Sequence, residues 1–146
     1  MTYHGIGYIS KVNGNMNSEL YIDIIKECIP STDAFYHMYL KDIIFQHNND
    51  LKHKSNMTTQ FLENYKWRVL DWPPQSLDLN PIENLWKQLK DNLSLYETPP
   101  IDEDNHWKRI IKTFYDIPKD KCQAIINTMP DRTQAVLKAN DGYTKY

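Results

Sequence analysis

Two short stretches concentrate the side chains that could move protons or hold cations: Gln46-His47-Asn48-Asn49-Asp50-Leu51-Lys52-His53, and Asn80-Pro81-Ile82-Glu83. Read residue by residue, each has a plain structural explanation beside a chemical one. Glu83 stands three residues after Asn80 and fits the acidic partner of a capping box. Asn48-Asn49 suits a turn that ends a strand, because Asn tolerates left-handed backbone and bonds to its own main chain. His47 and His53, with His37 nearby, have neither the spacing nor the cysteines of a tetrahedral zinc set, so a zinc site is rejected. Lys52, His53 and Lys54, then Lys87 and Lys90 one helical turn apart, and Arg132, are candidate phosphate contacts, although each taken alone reads as a solvated cation. Trp72, Trp86 and Trp107 have apolar neighbours and are assigned to the core rather than to base stacking.

The elements that must position these residues follow from hydrophobic period and caps. Leu20, Tyr21, Ile24, Ile25 and Cys28 recur at helical spacing after an Asn17 or Ser18 cap, and Pro30 is expected to stop that helix. Residues 42–47 contain an apolar run too short for a helix and predict a buried central strand that delivers the polar cluster at its end. A second helix is expected over Ser55 to Tyr65 with Met57, Phe61, Leu62 and Tyr65 on one side, then a strand at Trp67 to Leu70. Another short strand is expected around Tyr8 to Val12, with no preceding element to pair it.

Trp72-Pro73-Pro74-Gln75-Ser76 reads as a loop, since consecutive prolines remove donors and bias the residues before them to extended backbone. After it, Asn80 caps and Pro81 opens a helix whose Ile82, Leu85, Trp86, Leu89 and Leu93 form one stripe. Helical patterns follow at Glu103 to Tyr115, Lys119 to Asn127 and Asp131 to Leu137, punctuated by Pro118 and Pro130. Strand, helix and strand alternate before a helical C-terminal region, which makes the class α/β.

Composition bounds the rest. A 146-residue chain fits a single domain, 1–146, and 40% hydrophobic with 25% charged residues is the make-up of a chain that folds. A net charge of -2 means that any nucleic-acid contact must gather Lys and Arg on one face. Cys28 and Cys122 are too far apart in sequence, with no second pair, to suggest a disulfide framework, and read as reduced intracellular thiols. No apolar run approaches the ~18 residues of a membrane span, and the first residues have no basic or apolar leader. A soluble, non-exported protein is expected.

Taken together, the two stretches resemble the Tc/mariner DDE transposases. That family usually reads FQxDNDPKH, matched by Phe45 to His53, and WPPQSPDLNPIENLW, matched by Trp72 to Trp86. The likeness extends over nearly the whole chain: Gly5 to Met16 with Tyr21 resembles its GxGxxxxxxGxMNxxxY segment, and Met129-Pro130, Arg132 and Gly142 to Tyr146 resemble its C-terminal end. The resemblance implies an RNase H-like fold, a mixed sheet with flanking helices, of which the early strands and the N-terminal helix-turn-helix modules are not matched. It also implies Mg²⁺ or Mn²⁺ as cofactor, since three carboxylates in that family hold two hard cations that activate water and then a 3′ hydroxyl.

Carried over by position, the third carboxylate is Glu83 and the second Asp falls at residue 48, with 34 residues between them. Residue 48 is Asn. An amide has the shape of a carboxylate without its charge and offers a metal one neutral oxygen, so loss of metal affinity is expected. Asp50 is a weak substitute ligand. The family's first Asp lies upstream of the matched segment, leaving one of three carboxylates. The expected function is therefore that of a transposase-derived fragment, ancestrally a metal-dependent DNA-cleaving and strand-transferring enzyme, inactive alone. The alternative is a non-catalytic DNA-binding or transposase-interacting regulator. Expected DNA contacts are Lys52, His53, Lys87 and Arg132; expected partners are DNA without sequence preference, an intact transposase or a second copy; the nucleus is the implied compartment.

Overall fold

The computed structural model describes residues 1–65, 67–73, 76 and 79–139, so Pro74-Gln75 of the expected loop and the terminal Gly142 to Tyr146 lie outside the described residues. The chain divides into two compact units, 7–76 on one hand and 1–6 with 77–146 on the other. Among the described residues no helix is long and apolar enough to cross a membrane.

In the unit 7–76, helix α1 spans Ser18–Tyr36, and the Asn17 side chain accepts from the Leu20 N–H at 2.9 Å. It does not stop at Pro30, which lies inside it. Proline removes one helical donor and costs about 3 kcal/mol in a helix interior. Packing on the N-terminal side offsets that: Tyr21, Ile22 and Ile25 are buried and Ile29 packs against the same core. Beyond Pro30 the Thr32 hydroxyl donates to the Cys28 carbonyl at 2.7 Å and accepts from the Tyr8 N–H at 3.2 Å, tying the preceding segment to the helix. A Cβ at Gly7 would lie 2.7 Å from Thr32 Oγ1, so this approach requires glycine. His37, at φ 52, closes α1 in the left-handed conformation. The strand expected at Tyr8 to Val12 does not form; among the described residues no neighbouring strand offers it a ladder, and its backbone is tied to a side chain instead.

Strand β1, Ile44–Phe45, pairs in parallel with β2, Arg68–Val69, in the register Ile44 to Arg68 and Phe45 to Val69. Helix α2, Asn56–Asn64, connects them and is capped by Ser55, whose hydroxyl accepts from the Thr58 N–H at 3.2 Å. Among the described residues this pair is the whole sheet, a smaller one than the mixed sheet expected. Nor is β1 a buried central strand: Phe45 turns inward, but Ile44 is 49% exposed, and residues 40–42 form a 3-10 turn. The core holds Tyr21, Ile22, Ile25, Phe61, Leu62 and Trp67, with Phe61 and Trp67 edge to face at 6.0 Å. Met57, expected on the apolar side of α2, is exposed because the buried face is centred on Thr58, Phe61 and Leu62.

In the other unit, α3 spans Ile82–Leu93, and buried Pro81 already has helical dihedrals (φ -67, ψ -20). The Asn80 side chain accepts from the Ile82 N–H at 3.3 Å. Helices α4, Glu103–Tyr115, and α5, Lys119–Asn127, have the expected bounds; α6, Met129–Ala139, begins earlier than expected, with Pro130 harmless in its first turn. Helix α3 packs on α4 and α5, and α5 on α6. Their shared interior includes Leu85, Leu89, Phe114, Ile117 and the free thiol Cys122. The helical C-terminal region is thus present.

Candidate active-site loop

The polar residues after β1 fold into a loop whose bonds are mostly local. Asn48 is exposed, and its Oδ1 accepts from the Asp50 N–H at 3.2 Å. The same Oδ1 lies 2.6 Å from Nδ1 of His53. Because the Asp50 N–H only donates, the atom facing it is the amide oxygen, and His53 Nδ1 must therefore carry a proton. Asp50 is held in turn by Lys52, whose N–H donates to Oδ1 at 3.1 Å and whose ammonium donates to Oδ2 at 2.8 Å. These bonds keep the Asp50 carboxyl below its usual range. Asn49 points elsewhere: its Nδ2 donates to the carbonyl of buried Trp72 at 2.7 Å.

Neighbouring helices fix the loop from beneath. The Lys52 carbonyl accepts from Ser18 Oγ of α1 at 3.2 Å and from buried Thr58 Oγ1 of α2 at 2.8 Å. The His53 ring stacks on Tyr21 with centroids 3.9 Å apart, while the Tyr21 hydroxyl lies 2.9 Å from His47 Nδ1. Burial first, and then the charges that His53 and Lys54 can carry, push His47 down to about 4, so it is neutral near pH 7, and burial holds the Tyr21 hydroxyl above its usual value. Tyr21, Ser18 and Thr58 were not foreseen as supports of this loop; only the helical caps and the Tyr21 position carried a signal of them.

His47 makes stability depend on pH. The unfolded chain takes up this proton near the ordinary histidine value and the folded chain only near pH 4, so the contribution is complete above about pH 6.5 and is lost as pH falls between the two. Because the ring is partly solvated, the expected loss is about 1–2 kcal/mol. Urea unfolding at about pH 7 and about pH 5 measures it, and His47→Gln, which keeps a polar group toward Tyr21 but does not titrate, should flatten the slope. A slope unchanged by that substitution would assign it to other groups.

The remaining candidates lie in the other unit. Glu83 is exposed in the first turn of α3, and among the described residues its carboxylate makes no hydrogen bond or ion pair, so the capping-box bond to Asn80 is not formed. Lys87, one turn on, is exposed as well. Arg132 is buried, 2% exposed, with Nε donating to Thr128 Oγ1 at 2.8 Å and Nη2 to Asn84 Oδ1 at 2.7 Å. It ties α6 to α3.

A pair of hard divalent cations needs several anionic oxygens. The loop supplies one carboxylate, both of whose oxygens Lys52 already engages, and one neutral amide oxygen already bonded twice. Unaided, that donor set does not fit two metals. Among the described residues no group of three or more His, Cys, Asp and Glu side chains converges on a metal-sized site.

Residues 1–103 match the family model described as DDE superfamily endonuclease. The chain is 37% identical over 111 residues to the transposable element Tc1 transposase of Caenorhabditis elegans, a match covering 73% of this chain and 38% of that protein. It is 29% identical over 142 residues to the Tcb1 transposase of Caenorhabditis briggsae, covering 97% and 50% respectively. The chain thus spans half or less of the length of these relatives. Among solved structures it superposes on the Mos1 transposase catalytic domain bound with raltegravir and Mn at a TM-score of 0.87 and 19% identity, covering 99% of this chain and 74% of that one. The Mos1 mariner paired-end complex with Mn gives 0.85 at 20% identity, covering 98% and 43%. Those superpositions establish the fold as that of the RNase H-like Mos1 catalytic domain. Sequence and fold agree: the chain belongs to the DDE superfamily endonucleases, as a catalytic domain of the Tc1/mariner transposase kind.

Proposed function

We propose that this chain is a transposase-derived domain whose lineage cuts and rejoins DNA with divalent cations, and that it does not cleave DNA as it stands. The observation that carries this reading is the amide of Asn48 at the position of the family's second Asp, bonded to His53 and the Asp50 N–H. A neutral oxygen committed to two donors is a poor ligand, and Asp50 beside it is neutralised by Lys52. Any residual activity would use Mg²⁺ or Mn²⁺, the ions named with the Mos1 structures, and would draw on exposed Glu83. The two strands β1 and β2 belong in this reading to a larger mixed sheet.

DNA contact, in this reading, runs through Lys52, His53 and Lys87, is non-specific and weakens with salt, and Arg132 takes no part. A second reading is supported by the contrast between a fold kept over 99% of the chain and the amide at position 48. It makes the chain a regulator that associates with an intact transposase in the nucleus. Metal-dependent nicking of plasmid DNA by this chain and by its Glu83→Gln variant tests the main reading.

A further inference from the structure

Two asparagines stand side by side in the loop, and their amides are held in opposite ways. Asn49 is anchored through its nitrogen, since Nδ2 donates to the Trp72 carbonyl at 2.7 Å. Asn48 is exposed and held through its oxygen, with two N–H donors on Oδ1, His53 Nδ1 at 2.6 Å and Asp50 N at 3.2 Å. Two donors converging on an amide oxygen form the arrangement that stabilises negative charge when a nucleophile adds to that carbonyl. The nucleophile is adjacent: among the described residues the Asn49 backbone N–H makes no hydrogen bond, so nothing in the loop restrains it.

We propose that Asn48 is a self-modifying site, deamidating through attack by the Asn49 backbone nitrogen on its side-chain carbonyl, with His53 as the group that activates it. The Asn49 nitrogen gives its proton to solvent and bonds to Cγ of Asn48. Charge gathers on Oδ1, under the His53 and Asp50 donors. The Cγ–Nδ2 bond then breaks, and Nδ2 takes up a proton and leaves as ammonia. Water opens the resulting five-membered imide at Cγ to give aspartate, or at the backbone carbonyl to give isoaspartate. In sum, one amide and one water become one carboxylic acid and one ammonia. Asn49 is disfavoured in the same reaction because its nitrogen is held to Trp72.

The aspartate product carries a carboxylate where the chain now has an amide. That consequence rests on reading position 48 as the family's metal-binding position; the modification itself does not. A chain that gains its second family carboxylate only on ageing would be made without it and acquire it later.

The test follows the intact chain in ¹⁸O-labelled water, in native buffer and in urea, with mass spectrometry of the tryptic peptide 42–52 and fragment ions that separate positions 46, 48 and 49. Asn48 should convert on the order of tenfold faster in the native chain than in urea and ahead of Asn49, and His53→Ala should slow it by a similar factor. Native conversion at or below the urea rate, or a rate indifferent to His53→Ala in a folded variant, would overturn the proposal. If that variant does not fold, its Asn49 will speed up as the Trp72 bond is lost, and the comparison of the unsubstituted chain in buffer and urea decides alone. Conversion at Asn48 with no gain in Mn²⁺ affinity would keep the modification and count against the metal reading of position 48.

Discussion

Replacing Arg132 with alanine is expected to cost about 3 kcal/mol of stability, from the loss of hydrogen bonds to a buried charged group, those to Thr128 and Asn84 among them, and of its buried alkyl packing. That is a large fraction of the 5–15 kcal/mol typical of a domain. The residue is 2% exposed and its guanidinium bonds Thr128 through Nε and Asn84 of α3 through Nη2, so the loss should appear as an earlier urea transition followed by the helical signal. Arg132→Lys should fail to rescue it, because one ammonium cannot reproduce the planar fork that reaches both partners. The DNA affinity of whatever fraction stays folded should not change. Unaltered stability with weakened DNA binding would return Arg132 to the surface role that its residue type first suggested.

Asn48→Asp should raise Mn²⁺ affinity on the order of tenfold, equivalent to ~1.4 kcal/mol, because the substitution adds an anionic oxygen to a loop whose other carboxylate is already engaged by Lys52. Titration followed by water-proton relaxation reads this directly. Adding Lys52→Gln should release Asp50 and deepen the gain, whereas Asn48→Ala should leave the affinity of the parent chain almost unchanged. Equal affinities in the parent and Asn48→Asp chains would mean that position 48 does not face a cation at all.

What could be read from the sequence divides along the range of the interaction involved. Helices α4 and α5 have the bounds expected of them because helical period and Pro118 are local signals, and the structure adds a local cap, the Asp102 side chain accepting from the Asn105 N–H at 2.7 Å. Pro30 misled because its local penalty is outweighed by burial of Tyr21, Ile22, Ile25 and Ile29 against residues far along the chain. The segment at Tyr8 to Val12 has a strand's composition but, among the described residues, no ladder beside it, and composition does not show whether a partner is in place. Arg132 looked like a surface cation because burial is a tertiary property.

The candidate site shows the same division. The family likeness drew attention to Asn48, Asp50, Lys52 and His53, and the structure places all of them in one loop of the unit 7–76. The bonds that decide their chemistry, His53 to Asn48 and Lys52 to Asp50, depend on the loop's path and on its support by Ser18 and Thr58, which no spacing rule encodes. Nor does sequence alone show that Asn48 is held by its oxygen and Asn49 by its nitrogen.

The most direct test of a transposase-derived domain disabled at position 48 is conversion of supercoiled plasmid to nicked circles in Mg²⁺ and Mn²⁺, using freshly prepared chain of verified mass at residue 48. Nicking no greater than that of Glu83→Gln in either metal is the predicted result. Metal-dependent nicking by the unmodified chain that disappears in Glu83→Gln would contradict it, and would show that the amide at position 48 is compatible with catalysis.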